Sequence, residues 1–331
     1  MLRFAAQLGV EGVLLNTPAI PGERRWELAD LAGLRERCET HGLRLEAIEN
    51  VPNAFYERAM LGIDGRDEDI ENLSATIRNL GAAGVPVLGI NFCPGSVWRT
   101  WVGAAGRGGA SVNGFDAAAA ESGESVYIAR RDQRRDDPWV KDARFLDGVE
   151  IDEAGMWHNL EYFLRAIAPV AEEAGVRIAL HPDDPPVAKL GGVARILRDV
   201  DRLERALDIA SSPAIGLDLC MGTVSSSGGE AAVLDAVERF GPGGQIVYVH
   251  FRDVRGTVPV FEECFLGEGN YRPERVMEAL IGSGFDGFII DDHVPRLVDD
   301  TAFAHRGRAH ATGYLQGLLA AGLAARDGMG A

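Results

Sequence analysis

Apolar residues in this chain alternate between short continuous runs and longer stretches with helical spacing, which is the pattern of buried strands joined by amphipathic helices. The runs predict strands at 12–16, 43–48, 85–92, 176–180, 215–220, 246–251 and 287–290. Between them the spacing predicts helices at 26–41, 67–80, 152–173, 193–209, 231–240 and 273–281, with a helix end at 2–8 and a closing helix at 306–323. Gly42, Gly81 and Gly175 follow three of these helices, as expected of stop residues. Seven strands, each with a following helix or crossover, give the βα repetition of a parallel α/β barrel. A (β/α)8 TIM barrel needs an eighth strand, and the chain begins inside what would be its first helix; the first strand is absent from this sequence, the start is assigned late, or the barrel closes with seven. A doubly wound open sheet is the alternative, but the Gly-rich phosphate turn it would often carry after its first strand is absent.

The strand ends carry the chemistry. The run at 176–180 stops at His181-Pro182-Asp183-Asp184-Pro185-Pro186, where three prolines forbid regular structure. Three later runs end in the same way, at Cys220, at His250 and at Asp292-His293. A single strand-end histidine is more often structural, and a free cysteine is often a small buried hydrophobe, the reading we give to Cys38, Cys93 and Cys264. Four successive endings gathered around one barrel axis describe a metal site. His181, Cys220, His250 and Asp292 offer two imidazoles, a thiolate and a carboxylate, suited to divalent Mn, Fe, Co or Zn; Mn and Fe more readily accept further ligands beyond four protein donors. Met221-Gly222-Thr223 reads as a turn that brings backbone close to Cys220.

Composition narrows the partners. The chain has 331 residues and is 46% hydrophobic and 25% charged, a globular profile with enough apolar material for a large core. Its formal charge is −17, with 33 Lys and Arg against 50 acids, which argues against a nucleic-acid partner. No apolar run reaches the roughly 18 residues of a membrane span, and the N-terminus lacks a secretory pattern, so a cytoplasmic location is expected. Four widely spaced cysteines with no CxxC pair fit reduced thiols.

After Pro94 the rhythm breaks for about fifty residues, longer than ordinary connections. This insertion, at about 96–147 in an otherwise single domain spanning 1–331, is first rich in Gly and Ala and then in charge, from Arg130 to Asp137. It reads either as a mobile excursion or as a lid over the site, its place after a strand end favouring the lid.

Several stretches resemble one known family. Ile48-Glu49-Asn50-Val51-Pro52, Ile70-Glu71-Asn72, Thr76-Ile77-Arg78-Asn79-Leu80, Asn91-Phe92-Cys93-Pro94, the segment from Met156 to Leu164, the segment from Pro169 to Gly175, and above all the string from His181 to Pro186 resemble the mannonate dehydratases. Leu315-Gln316-Gly317-Leu318 returns the likeness weakly near the end. The resemblance implies a xylose-isomerase-like barrel that binds Mn or Fe and converts D-mannonate to 2-keto-3-deoxy-D-gluconate. The family's His, Cys, His and Asp ligands match His181, Cys220, His250 and Asp292. The chain departs from the family at Ile290-Asp291-Asp292-His293, where the family commonly reads Arg-Pro-Asp-His, at Val247, where it often has a second His, and between Val294 and Gly313, where its tyrosine has no equivalent.

Dehydration removes a proton α to a carboxylate, so a metal on that carboxylate stabilises the developing charge while acid/base groups move protons. His293, beside Asp292, is the first candidate for that work because imidazole titrates near neutrality. Arg252 could clamp the substrate carboxylate in bidentate fashion, with Arg255 a weaker candidate. Glu49 and Asn91, on strand ends, could touch substrate; Glu262 and Glu268 lie in a predicted loop with ordinary surface roles as an equal reading. Asp183 and Asp184 are expected to shape the loop after His181 through local backbone hydrogen bonds. The expected substrate is a small sugar acid or polyol, and a homo-oligomer would be ordinary for such an enzyme. A metal-dependent sugar isomerase or epimerase working through an enediolate, and a non-catalytic metal- or sugar-binding protein, are the alternatives.

Overall fold

The structure is a computed structural model that describes residues 1–95, 97–123 and 148–329, with side chains as far as Arg326. Its strands are numbered β1 to β13 in chain order. Seven form one parallel sheet in the order β1 (Gly12–Asn16), β2 (Arg44–Glu49), β3 (Val87–Ile90), β6 (Arg177–Leu180), β9 (Ile215–Cys220), β10 (Ile246–His250) and β13 (Phe288–Ile290). These are the seven predicted strands, curled into a nearly closed barrel. No eighth strand joins that sheet among the described residues, and its two edges, β1 and β13, are half-buried while β9 and β10 are buried throughout. The mainly apolar character of the central strands follows from being covered on both faces.

Helices cover the outside. Glu153–Ala174 starts where the Asp152 carboxylate accepts from the Gly155 N–H at 2.8 Å, and it stops at Gly175, whose φ of +66° is left-handed. Leu160, Phe163, Leu164, Ile167 and Ala171 lie buried along one stripe of it. Two predicted helices differ from what is found. The one expected at 193–209 begins only at Val200, where Asp199 accepts from the Arg202 N–H at 3.0 Å; Val193–Ala194 (β8) instead pairs with Lys189–Leu190 (β7) across Gly191-Gly192. The one expected at 231–240 begins directly after Cys220 and runs Met221–Phe240 with a break at Gly228 and Gly229. The predicted turn at Met221-Gly222-Thr223 is therefore the first turn of a helix.

The expected excursion after Pro94 is organised in its described part. Trp101–Gly103 (β4) and Val112–Asp116 (β5) join Asp253–Thr257 (β11) and Val260–Cys264 (β12) in an antiparallel sheet of order β11-β12-β5-β4. Trp98, Phe115, Val254 and Phe261 form a small core beneath it, so residues 98–123 gain apolar burial that their Gly- and Ala-rich sequence did not announce. Glu262, expected in a loop, lies on β12 and pairs with Arg255 at 2.8 Å. The charged run from Arg130 to Asp137 lies outside the described residues.

The barrel interior is filled by Ala47, Val87, Ala179, Val247 and Tyr248. Tyr248 stacks on Phe288, ring centroids 4.9 Å apart, and sends its phenol across the barrel to Gly89. A Cβ at Gly89 would lie 2.2 Å from that hydroxyl and 3.0 Å from Glu49 Cγ. Gly89→Ala is therefore expected to destabilise the fold by about 1–3 kcal/mol through overpacking, measured by urea unfolding, and the double variant Gly89→Ala/Tyr248→Phe should recover part of the loss.

Candidate metal centre and acid/base site

Parallel register gathers the site. His250 pairs with Cys220 on one side and with Ile290 on the other, so the last residues of β9, β10 and β13 are neighbours. His181 follows the end of β6, which pairs with β9. Asp292, two residues beyond Ile290, has a φ of +48°, an uncommon conformation for an aspartate; such strained backbone clusters at functional sites. The donor atoms of His181, Cys220 and His250 lie within 4.8 Å of one another. Asp292 Oδ2 lies 3.5 Å from His250 Nδ1 and 4.0 Å from Cys220 Sγ. The four predicted ligands thus come together.

Their electrostatics suit a cation. Burial alone would raise the Cys220 thiol, but the Arg252 guanidinium and hydrogen bonds with His181 and His250 bring it well below its ordinary value. Cys220 also sits at the N-terminus of Met221–Phe240, and Thr223 Oγ1 donates to its sulfur at 3.2 Å. His181 is pushed up to about 9: burial lowers it, and Asp218 and Cys220 more than compensate. His250 is raised well above its ordinary value, Asp218, Asp292 and Glu49 together overcoming its burial. The Cys220 sulfur and the Asp292 carboxylate face the His250 ring, and His250 Nδ1 is buried with no hydrogen-bond partner. Two imidazoles, a thiolate and a carboxylate in such a field fit a divalent cation.

The other candidates occupy distinct places. Glu49 accepts at His250 Nε2 (2.9 Å) and from Asn16 Nδ2 (2.9 Å), so it holds an imidazole from behind. Asn91 is buried at the end of β3 with Oδ1 unpartnered. Arg252 is enclosed by protein groups: Nε lies 2.8 Å from Asp292 Oδ2, and Nη2 reaches Asp184, Thr223 Oγ1 (3.0 Å) and Cys220 Sγ (3.4 Å). Gly222 makes room for it, since a Cβ there would lie 2.6 Å from Arg252 Cγ. Arg255 is exposed on the second sheet. Glu268 pairs at the surface with Arg107 at 2.6 Å. His293 is 28% exposed at its side chain, donates from Nδ1 to Glu263 Oε1 at 2.6 Å, and turns Nε2 toward Asp292 Oδ1 at 3.6 Å.

Three residues, Asp218, Arg99 and Glu263, escaped the sequence reading. Asp218 is fully buried on β9, faces His250 Nε2 at 3.2 Å, and is raised to about 8 by burial, with Glu49 and Cys220 adding to the effect. Its signal was a carboxylate inside an otherwise apolar strand. Arg99, from the insertion, is 0% exposed and binds Asp184 through Nη1 at 2.8 Å and Nη2 at 2.7 Å, and Glu263 through Nε at 3.1 Å. Asp184 was expected to bond local backbone; it bridges two arginines instead, while Asp183 accepts from the Leu197 N–H at 2.9 Å. Neither Arg99 nor Glu263 carried a local signal.

The geometry can be set beside known proteins. A family model described as D-mannonate dehydratase (UxuA) matches residues 1–326. The chain belongs to the D-mannonate dehydratase family. It is 33% identical over 300 residues to the mannonate dehydratase of Thermotoga neapolitana, covering 86% of this chain and 82% of that one. It is 30% identical over 341 residues to that of Streptococcus pneumoniae, covering 96% and 88%. The crystal structure of mannonate dehydratase from Streptococcus suis superposes with a TM-score of 0.84 at 29% identity, covering 98% of this chain and 92% of that one. An L-ribulose 3-epimerase structure, at TM-score 0.60 and 16% identity, shares the fold. No helix among the described residues is long and apolar enough to cross a membrane.

Glu263 gives this family member a pH signature. Burial would raise its carboxyl, but the charges of His293 and Arg99 bring it from 4.5 to about 2. Its folded value lies below its unfolded one, so the stability it contributes is fully present above pH 4.5 and is lost as the pH falls toward 2. Glu263→Gln is expected to cost roughly 3 kcal/mol near neutral pH, and urea unfolding should show that cost shrinking between those two values.

Proposed function

We propose that this chain is a hydro-lyase that removes water from D-mannonate to give 2-keto-3-deoxy-D-gluconate at the strand-end cluster. The observation that carries the reading is the match to the D-mannonate dehydratase family over residues 1–326, in a chain whose His181, Cys220, His250 and Asp292 meet at adjacent strand ends. These four would hold a divalent metal, Mn or Fe, and when bound it would stabilise charge on the substrate carboxylate as the α-proton leaves. Glu49 holds the His250 ring, and Arg252 counterbalances Cys220 and Asp292. That enclosure supports a charge-balancing role for Arg252 over a bidentate clamp on substrate. The unpartnered Asn91 Oδ1 can accept from a substrate hydroxyl.

His293 is the proposed acid/base group. Its Nδ1 is tied to Glu263, which leaves Nε2, beside Asp292, to take the α-proton and return it to the departing hydroxyl, so that water leaves. Residues 97–123 support a fixed wall to the site more than a moving lid, because Arg99 is locked into buried ion pairs. We place the enzyme in the cytoplasm, which its four buried cysteines, none of them in a disulfide, support.

The test is anaerobic incubation of Mn- and Fe-loaded protein with D-mannonate beside a metal-free control, assaying the 2-keto-3-deoxy acid. Metal-dependent product is expected. Cys220→Ala should lose both bound metal and product, whereas His293→Gln should keep its metal and turn over about 10²-fold or more slowly. Absence of product with stoichiometric metal would sink the dehydratase reading.

A further inference from the structure

We propose that Glu263 is the positioning residue of the acid/base histidine, and that the second sheet exists at this site to immobilise Glu263; the inference rests on the role given above to His293. Glu263 lies on β12, opposite Val254 of its hairpin partner β11 and next to Glu262, which pairs with Gly114 of β5. A carboxylate on a hairpin that leaves the barrel after β10 has no intrinsic reason to be rigid. Here its two oxygens are fully engaged. Oε1 accepts from His293 Nδ1 at 2.6 Å, Arg99 Nε at 3.1 Å and Arg252 Nη1 at 3.3 Å, while Oε2 accepts from Asn113 Nδ2 at 3.0 Å. Glu263 is 3% exposed and Arg99 0%, so water does not compete for these bonds.

The consequence falls on His293. An imidazole whose Nδ1–H is held by a fixed carboxylate has one tautomer when neutral and one ring plane, and it presents Nε2 alone to the reacting side. Asn113 comes from β5, and Arg99 precedes β4, so both arrive with the insertion. Arg99 also grips Asp184, in the loop that follows His181, which ties the histidine's support to the frame that carries the proposed metal ligands. The described part of the insertion thus reaches the chemistry through Glu263.

The experiment compares wild type, Glu263→Gln, Glu263→Asp and Asn113→Ala as metal-loaded full-length enzymes, measuring metal content, kcat and KM for D-mannonate. It also records the His293 Nδ1 proton by long-range proton–nitrogen NMR on the zinc-loaded protein, the resonance being assigned by its loss in His293→Gln. Expected are an unchanged metal content, a KM within about threefold of wild type, a kcat lowered about 10–100-fold in Glu263→Gln with partial rescue by Glu263→Asp, and an upfield move of the Nδ1 proton. Asn113→Ala should show smaller changes in the same directions. A folded Glu263→Gln with wild-type kcat and an unmoved resonance, or one that changes KM alone, would overturn the proposal. Should Glu263→Gln fail to fold, Asn113→Ala decides by the same two readouts. Should wild type make no product, the dehydratase reading fails, while the resonance still tests the pair: its movement in Glu263→Gln supports positioning by Glu263, and its constancy overturns it.

Discussion

The site depends on keeping a dense group of anions buried at the end of a barrel. Glu49, Asp184, Asp218, Cys220, Glu263 and Asp292 all converge within a few side chains of His250 and Arg252, and all but Asp292 are almost wholly out of water. Unpaired charges in that position would carry a prohibitive desolvation cost, so each must face a cation or hold a proton. The arrangement divides the labour. Arg99 and Arg252 neutralise Asp184 and Glu263 permanently, because guanidinium does not lose its charge. Asp218 and Glu49 face the His250 imidazole, and Cys220 and Asp292 are shared between Arg252 and imidazoles, which unlike guanidinium can give up their protons to a metal.

That division separates a fixed half of the site from an exchangeable half. Guanidinium–carboxylate pairs with defined geometry make one side a rigid frame, whose net contribution to stability is small but whose geometry is specific. On the other side, thiolate and imidazole donors are held by second contacts: Thr223 on Cys220, Glu49 on His250, and the Pro182 carbonyl on His181 Nδ1 at 2.6 Å. His293 stands at the boundary, with Nδ1 against the frame and Nε2 beside Asp292. A histidine placed there can move a proton without the frame around it moving.

The barrel itself shows how small residues serve the chemistry above them. Tyr248 and Asp218 occupy neighbouring strands in register, and Gly89 opposite them has no side chain, so a phenol can pass across the barrel beneath the site. Ala47 and Ala179 line the same interior. The resulting layer is tightly packed, which fixes the strand ends relative to one another to within what core packing permits. Outside the barrel, Asp291 pairs with Arg308 of the closing helix, so the strand end that carries Asp292 is tethered from both sides.

The sequence by itself determined the strands, most of the helices and the strand-end places of the four proposed metal ligands, because each of those features is local. A continuous apolar run is a buried strand whatever surrounds it, and a parallel barrel brings successive strand ends to one face. Cys220, His250 and Asp292 could therefore be named from their places in the chain. Only the tertiary structure decided what surrounds them. Arg99 and Glu263 are 164 positions apart and meet because an insertion pairs with a hairpin, β5 against β12, a contact set by cross-strand register that no run of residues announces. Asp184 was read as a loop residue for the same reason: its partners, Arg99 and Arg252, are 85 and 68 residues away. The helix starts at Val200 and Met221 were misplaced because capping and burial, not periodicity, choose where a helix begins. Local pattern specifies which groups reach the site, while long-range pairing specifies which of them are free to react.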